Sequence, residues 1–157
     1  MSYIDRLISN CEEAKKAKSI NEFIFDNTGE FDKFFSELKH IDTAIYIIEQ
    51  IGGDPQKTFE KLLSYKKTRE RSCPAMNAPS KIMYVGSSTT GVGKRLKQHI
   101  GEGHKGTYAL HLSHWFDGKY VITVKQYNIA REVLQIIEDN ISDKLSPAFG
   151  KQGGNNK

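Results

Sequence analysis

The chain changes character at residue 43, and that change limits its possible folds more than any other feature. Thr43-Ala44-Ile45-Tyr46-Ile47-Ile48 is β-branched and aromatic, the composition of a buried strand. Residues 1–42 before it read as helical. Tyr3, Ile4, Leu7, Ile8 and Cys11 recur at helical spacing over residues 3–18. Ser19-Ile20-Asn21-Glu22 has capping-box form and predicts a short helix after it. Thr28-Gly29 breaks the chain, and Phe31, Phe34, Phe35 and Leu38 then share one face of a further helix. Beyond residue 43, strands and helices mix. Gly52-Gly53 ends the first strand, and Asp54-Pro55 opens a helix that runs to about Arg71. Pro74 and Pro79 mark a loop, and residues 81–85 form a second strand. A turn-rich stretch over 86–93 leads into a helix carrying Arg95, Leu96, His99 and Ile100. Thr107 caps a short amphipathic helix through Trp115, and a third strand over 119–125 follows the Asp117-Gly118 turn. The last helix starts near Asn128, buries Ala130, Val133, Leu134, Ile137 and Ile141, and stops at Pro147.

A chain of 157 residues is long enough for one full core and too short for two ordinary domains. The expected architecture is therefore α+β: a small, mostly antiparallel three-stranded sheet flanked by helices, without which so few strands lack a stable core. Residues 1–42 are expected as a helical extension. Residues 43–157 form the main domain, with a basic helical insertion at about 53–80. A composition of 38% hydrophobic and 27% charged residues excludes a disordered chain. The apolar runs are strand-sized, so no membrane contact is expected. The opening residues carry acidic side chains early and no apolar run, which argues against a secretion signal and for a cytoplasmic protein. Cys11 and Cys73 lack metal-binding spacing and read as reduced thiols.

The formal charge of +4 leans toward a polyanionic partner. The segment 55–71 is the most basic, with Lys57, Lys61, Lys66, Lys67, Arg69 and Arg71 against Glu60 and Glu70. Such a run is most often a solvated helix face, although it also suits phosphate contact. Gly93-Lys94 invites a P-loop reading, but the pattern requires glycine where Ser88 stands and a hydroxyl where Arg95 stands. Nucleotide hydrolysis is set aside. His99, His104, His111 and His114 match no zinc-ligand spacing. A better constellation spans two strands and two helices. Tyr46 and Tyr84 lie on strands, Arg95 and His99 stand four apart on one helical face, and Glu138 and Asp139 lie on the last helix. Phosphodiester hydrolysis needs a proton acceptor for water, positive charge on the phosphate and often a metal at the leaving oxygen. Each of these residues also has an ordinary structural role open to it, as a satisfied strand tyrosine or an ion pair.

The run Tyr84-Val85-Gly86-Ser87-Ser88 followed by Arg95-Leu96-Lys97-Gln98-His99 resembles the second half of the GIY-YIG nuclease signature. Ala44-Ile45-Tyr46-Ile47-Ile48-Glu49 resembles the first half, with alanine for the opening glycine. The resemblance covers residues 43 to about 156. It departs from the family where residues 47–83 replace a short hairpin and where YVG stands for YIG. Tyr65, an alternative first tyrosine, sits in an amphipathic helical pattern. The resemblance implies an Mg²⁺-dependent (or Mn²⁺-dependent) endonuclease, restriction-like, acting on DNA ahead of RNA. Tyr46 would orient the attacking water and Tyr84 remove its proton, Arg95 would bind the scissile phosphate, His99 would donate to phosphate or shuttle a proton, and Glu138 would hold the metal. Asn155 or Asn156 would fill the family's terminal polar position. Lys61, Lys66, Lys67, Arg69, Arg71, Lys94, Lys97, Lys151 and Asn155 are the candidate nucleic-acid contacts. A homodimer through the N-terminal helices or the insertion is open. The rival readings are a non-catalytic nucleic-acid-binding module on the same scaffold and a protein-interaction domain docking through residues 1–42.

Overall fold

The computed structural model describes residues 1–151. Its centre is one antiparallel sheet of four strands: β1 (Asn21–Asp26), β2 (Ala44–Ile51), β3 (Ile82–Ser88) and β4 (Lys119–Gln126), in the order β1-β4-β2-β3. The helices are α1 (Tyr3–Lys16), α2 (Phe31–Glu37), α3 (Pro55–Lys67), α4 (Val92–Lys97) and α5 (Arg131–Leu145).

The α+β class holds, but the sheet has one strand more than expected. The added strand is β1, where the capping-box pattern pointed to a helix. Asn21 pairs with Gln126 and Phe25 with Ile122 along the edge of β4. Alternation explains the difference: Phe23 and Phe25 turn to the core side while Ile24 between them is exposed. Residues 1–42 are thus not purely helical, and Phe25, Phe34, Phe35 and Leu38 join the main core. The expected helix over 107–115 is also absent. Only a 3-10 turn at Leu112–His114 forms, because His111 takes a left-handed backbone (φ 52°) that interrupts any longer helix. The ends of α3 and α5 fall inside their expected spans, with Arg69 at φ 58° just beyond α3.

Strand register distributes the sheet's residues onto two faces. Tyr46, Ile48, Ile122, Val124 and Phe25 share one face and pack with Leu62 of α3 and Leu96 of α4. Ile45 lies on the other face, where Val133, Leu134 and Ile137 of α5 cover it and Ala14 and Ala17 add the end of α1. Helix α3 is anchored in the main core. Asp54 caps it by accepting from the Gln56 N–H, Pro55 starts it, Leu62 is fully buried, and Phe59 stacks on Phe149 at 5.8 Å. Burying Leu62 alone contributes about 2 kcal/mol. Helix α1 is different: it buries no residue fully, and Tyr3, Ile4, Leu7 and Ile8 remain exposed. No helix among the described residues is long and apolar enough to cross a membrane.

Strand β3 ends the sheet. Ala148 and Phe149 donate backbone hydrogen bonds to the carbonyls of Ile82 and Met83, so the segment after α5 covers the start of this edge. Asn77 fastens that segment by donating to the carbonyls of Pro147 (3.1 Å) and Gly150 (2.8 Å). Residues 84–88 of the same strand line a cleft.

Candidate active site

The cleft at the end of β3 encloses about 550 Å³ and brings together Tyr46, Tyr84, Arg95 and Glu138. These side chains come from separated parts of the chain, and the sheet explains their convergence. Tyr46 pairs with Gly86, and Tyr84 pairs with Ile48, so both tyrosines rise from one face of neighbouring strands. Their rings are nearly parallel, with centroids 6.1 Å apart. The Tyr46 ring passes over Gly86, where any β-carbon would collide with the phenol. Gly86 is therefore required by close approach, and Gly150 (φ 97°) similarly leaves room for the Tyr84 ring.

His99 sits behind the two phenols. A π-helical turn over Gln98–Glu102 extends α4 and carries His99 inward until it is 0% exposed. The Leu110 N–H donates to Nδ1 at 3.1 Å, and Nε2 lies 3.0 Å from the Tyr46 hydroxyl. A backbone N–H can only donate, so Nδ1 is unprotonated and the imidazole proton resides on Nε2. His99 then donates to the Tyr46 oxygen. Burial, with Arg95 and His111 nearby, holds the His99 pKa well below its ordinary value and keeps the ring neutral. Both ring nitrogens are occupied inside the protein. His99 is not among the residues lining the cleft; it meets Tyr46, whose own O–H is left to face other groups.

Arg95 reaches the cleft from α4. Its Nη1 donates to Gln98 Oε1 at 3.0 Å and its Nη2 to the Tyr108 carbonyl at 2.8 Å, which fixes the plane of the guanidinium. Burial acts to lower its pKa, but the Tyr46 and Tyr84 phenols outweigh that and raise it, so the charge is permanent. Burial also raises both tyrosines, opposed by Arg95, and Tyr46 feels Tyr84 as a further raising influence. Each therefore gives up its proton less readily than a free phenol.

Glu138 approaches from α5 and is only 7% exposed. Burial pushes its carboxyl up, against hydrogen bonds from Ser87 and Gln135 and with Asp139 adding to the rise. Gln135 Nε2 bridges Glu138 (3.3 Å) and Asp139 (2.9 Å). Among the described residues no basic side chain forms an ion pair with Glu138. No group of three or more His, Cys, Asp or Glu residues capable of holding a metal occurs among them either.

The candidate contact residues are scattered by the fold. Lys151 lines the cleft itself. Lys94 lies beside it in an adjoining concavity, and Lys97 turns away over the Phe35 ring at 5.4 Å. Lys61 pairs with Asp117 at 3.0 Å, Lys66 donates to the Pro74 carbonyl at 2.8 Å, and Arg71 donates to the Gly103 carbonyl at 3.0 Å. Lys66, Arg69 and Arg71 line a separate groove with His104 and Lys105, which meets the cleft at Tyr108. Lys67 is exposed on α3, and Asn155 and Asn156 lie outside the described residues.

Sequence reasoning missed Ser87, Gln135, Arg131 and Tyr108, all of which line the cleft. A signal existed for two of them. Arg131, Gln135 and Glu138 are four and then three residues apart, the spacing of a single helical face. Nothing local marks Ser87 or Tyr108. No family model matches the chain, and comparison with curated proteins and with solved structures gives no match.

Proposed function

We propose that the protein is a metal-dependent endonuclease of the GIY-YIG type that hydrolyses phosphodiester bonds, in DNA ahead of RNA. The observation that carries this reading is the convergence of Tyr46, Tyr84, Arg95 and Glu138 on one cleft. These residues come from two strands and two helices, and catalysis would need them in those roles. Glu138 is suited to a hard cation: it is a buried carboxylate without an ion-pair partner among the described residues, in a cleft with hydroxyl neighbours. Mg²⁺ typically takes one or two carboxylates and completes its shell with water and substrate oxygens. Such an ion would stabilise developing negative charge and favour ionisation of bound water.

The chain's own groups supply the rest. Arg95, held by Gln98 and the Tyr108 carbonyl, presents a permanent charge to a phosphate. Tyr46 accepts from His99 and offers its O–H to a water or phosphate oxygen, which favours orienting over proton removal. Tyr84 lies less deeply than Tyr46, and with its raised pKa it works as a proton acceptor only where positive charge is near.

The test is plasmid cleavage with Mg²⁺, Mn²⁺ or EDTA, beside Arg95→Ala and Glu138→Ala proteins. Metal-dependent nicking that both substitutions abolish is the expected result. Tight DNA binding without cutting on varied DNA and RNA would replace the nuclease with a binding module.

A further inference from the structure

A second concavity adjoins the cleft and, of its catalytic candidates, shares only Arg95. The two share Ser87, Ser88, Thr89, Arg95 and Arg131, but neither tyrosine nor Glu138 reaches the second one. Its charged lining is wholly positive: Lys94, Arg95 and Arg131. Three like charges without an acid among them repel one another, so folding stability alone gives no reason for the arrangement. Lys94 and Arg131 are solvent-exposed and have neither a hydrogen-bond nor an ion-pair partner among the described residues. Arg131 also stands in the first turn of the 15-residue α5, where the helix disfavours a cation. Hydroxyl groups complete the wall. Ser88 Oγ accepts from the backbone N–H groups of Thr90 (3.3 Å) and Gly91 (3.1 Å), which leaves its own proton to donate. Cations and hydroxyl donors without a carboxylate make a receptor for a phosphate.

We propose that this concavity is a second phosphate subsite, in which Lys94 and Arg131 hold a backbone phosphate near the one that Arg95 binds. The inference rests on the nuclease reading and extends it. Arg131 and Glu138 lie two turns apart on one face of α5, about 10 Å along its axis. That distance corresponds to a few nucleotides of backbone. The subsite would fix the register of the strand across the cleft and carry no sequence information.

The experiment measures binding of the full chain to duplex oligonucleotides in EDTA over a range of salt concentrations. Wild type is compared with a Lys94→Gln/Arg131→Gln protein and a charge-preserving Lys94→Arg/Arg131→Lys protein. Loss of the contact to this one phosphate should reduce the slope of log K against log salt by about 1 and weaken binding to all sequences alike. The charge-preserving protein should recover the wild-type slope. Equal slopes for wild type and the glutamine protein overturn the subsite, and metal-dependent plasmid cutting by wild type would leave the nuclease standing. A wild-type protein that neither binds nor cuts overturns both. A glutamine protein that melts several degrees lower with an unchanged slope assigns the cations a structural role and also overturns the subsite.

Discussion

Helices α3 and α5 are both amphipathic, and they use their charged residues in opposite ways. Helix α3 and the turn after it form the most basic stretch of the chain, yet several of those cations are engaged within the fold. Lys61 meets Asp117, Lys66 holds the Pro74 carbonyl, and Arg71 holds the Gly103 carbonyl. What α3 contributes most clearly is apolar, through Leu62 and the Phe59–Phe149 stack. Helix α5 is net acidic, with Arg131 and Lys144 against Glu132, Glu138, Asp139 and Asp143, and it turns Arg131, Gln135 and Glu138 into the cleft. Charge count alone therefore does not locate a site. Charges that the fold leaves without partners, or buries at a cost, locate it better.

The sharpest way to break this comparison is to remove one carboxylate from α5 and charge from α3. Under the proposed nuclease reading, Glu138→Gln should reduce metal-dependent cleavage by roughly 10³-fold, the scale of losing one pre-organised electrostatic group. Lys57→Gln/Lys67→Gln, which neutralises two exposed cations of α3, should change it by less than about threefold. Comparable losses in single-turnover rates would erase the distinction.

The core role assigned to α3 predicts the next largest effect. Leu62→Ala should lower stability by about 2–5 kcal/mol, because a fully buried leucine leaves a cavity. Urea midpoints would show it, and Leu63→Ala on the exposed side should lie within about 1 kcal/mol of wild type. Equal shifts would mean that α3 has no preferred buried face.

Buried charge on α5 predicts a pH dependence of definite sign. The Glu138 carboxyl is raised above 4.5 in the fold, so the folded protein holds its proton more tightly than the unfolded chain. Stability present below the ordinary carboxyl range is lost as pH rises through the raised value. In EDTA, Glu138→Gln should therefore gain on wild type in urea midpoint between pH 4 and pH 7. If Glu138 holds the proposed metal, Mg²⁺ should narrow the gap at neutral pH by binding the ionised carboxylate. A gap that widens in acid instead would mean that the fold favours the charged form.

The smallest effect is expected at the α3 surface pair. Lys61 and Asp117 are 50% and 90% exposed, and a double-mutant cycle should assign them no more than about 1 kcal/mol. A larger coupling would promote α3 electrostatics from surface detail to a stabilising feature.

Periodicity and composition determined much of this protein before any fold was in view. The runs that became β2, β3 and β4, the apolar faces of α3 and α5, and the turn-rich stretch before Arg95 were all legible locally. The order of Tyr46, Tyr84, Arg95, His99 and Glu138 along the chain was legible as well. Strand β1 was not, because six residues with a capping-box prefix suit either state and only their pairing with β4 decides. Asn21 meets Gln126 105 positions away. The same reason governs the site. The Leu110 N–H sets the protonation of His99, the register of β2 on β3 places Tyr46 over Gly86, and the packing of α5 brings Arg131 beside Lys94. Local sequence specifies which groups a segment carries and which way its apolar side faces. Hydrogen-bond partners, burial and the neighbours of a charge depend on contacts between distant segments, and only the tertiary structure supplies them.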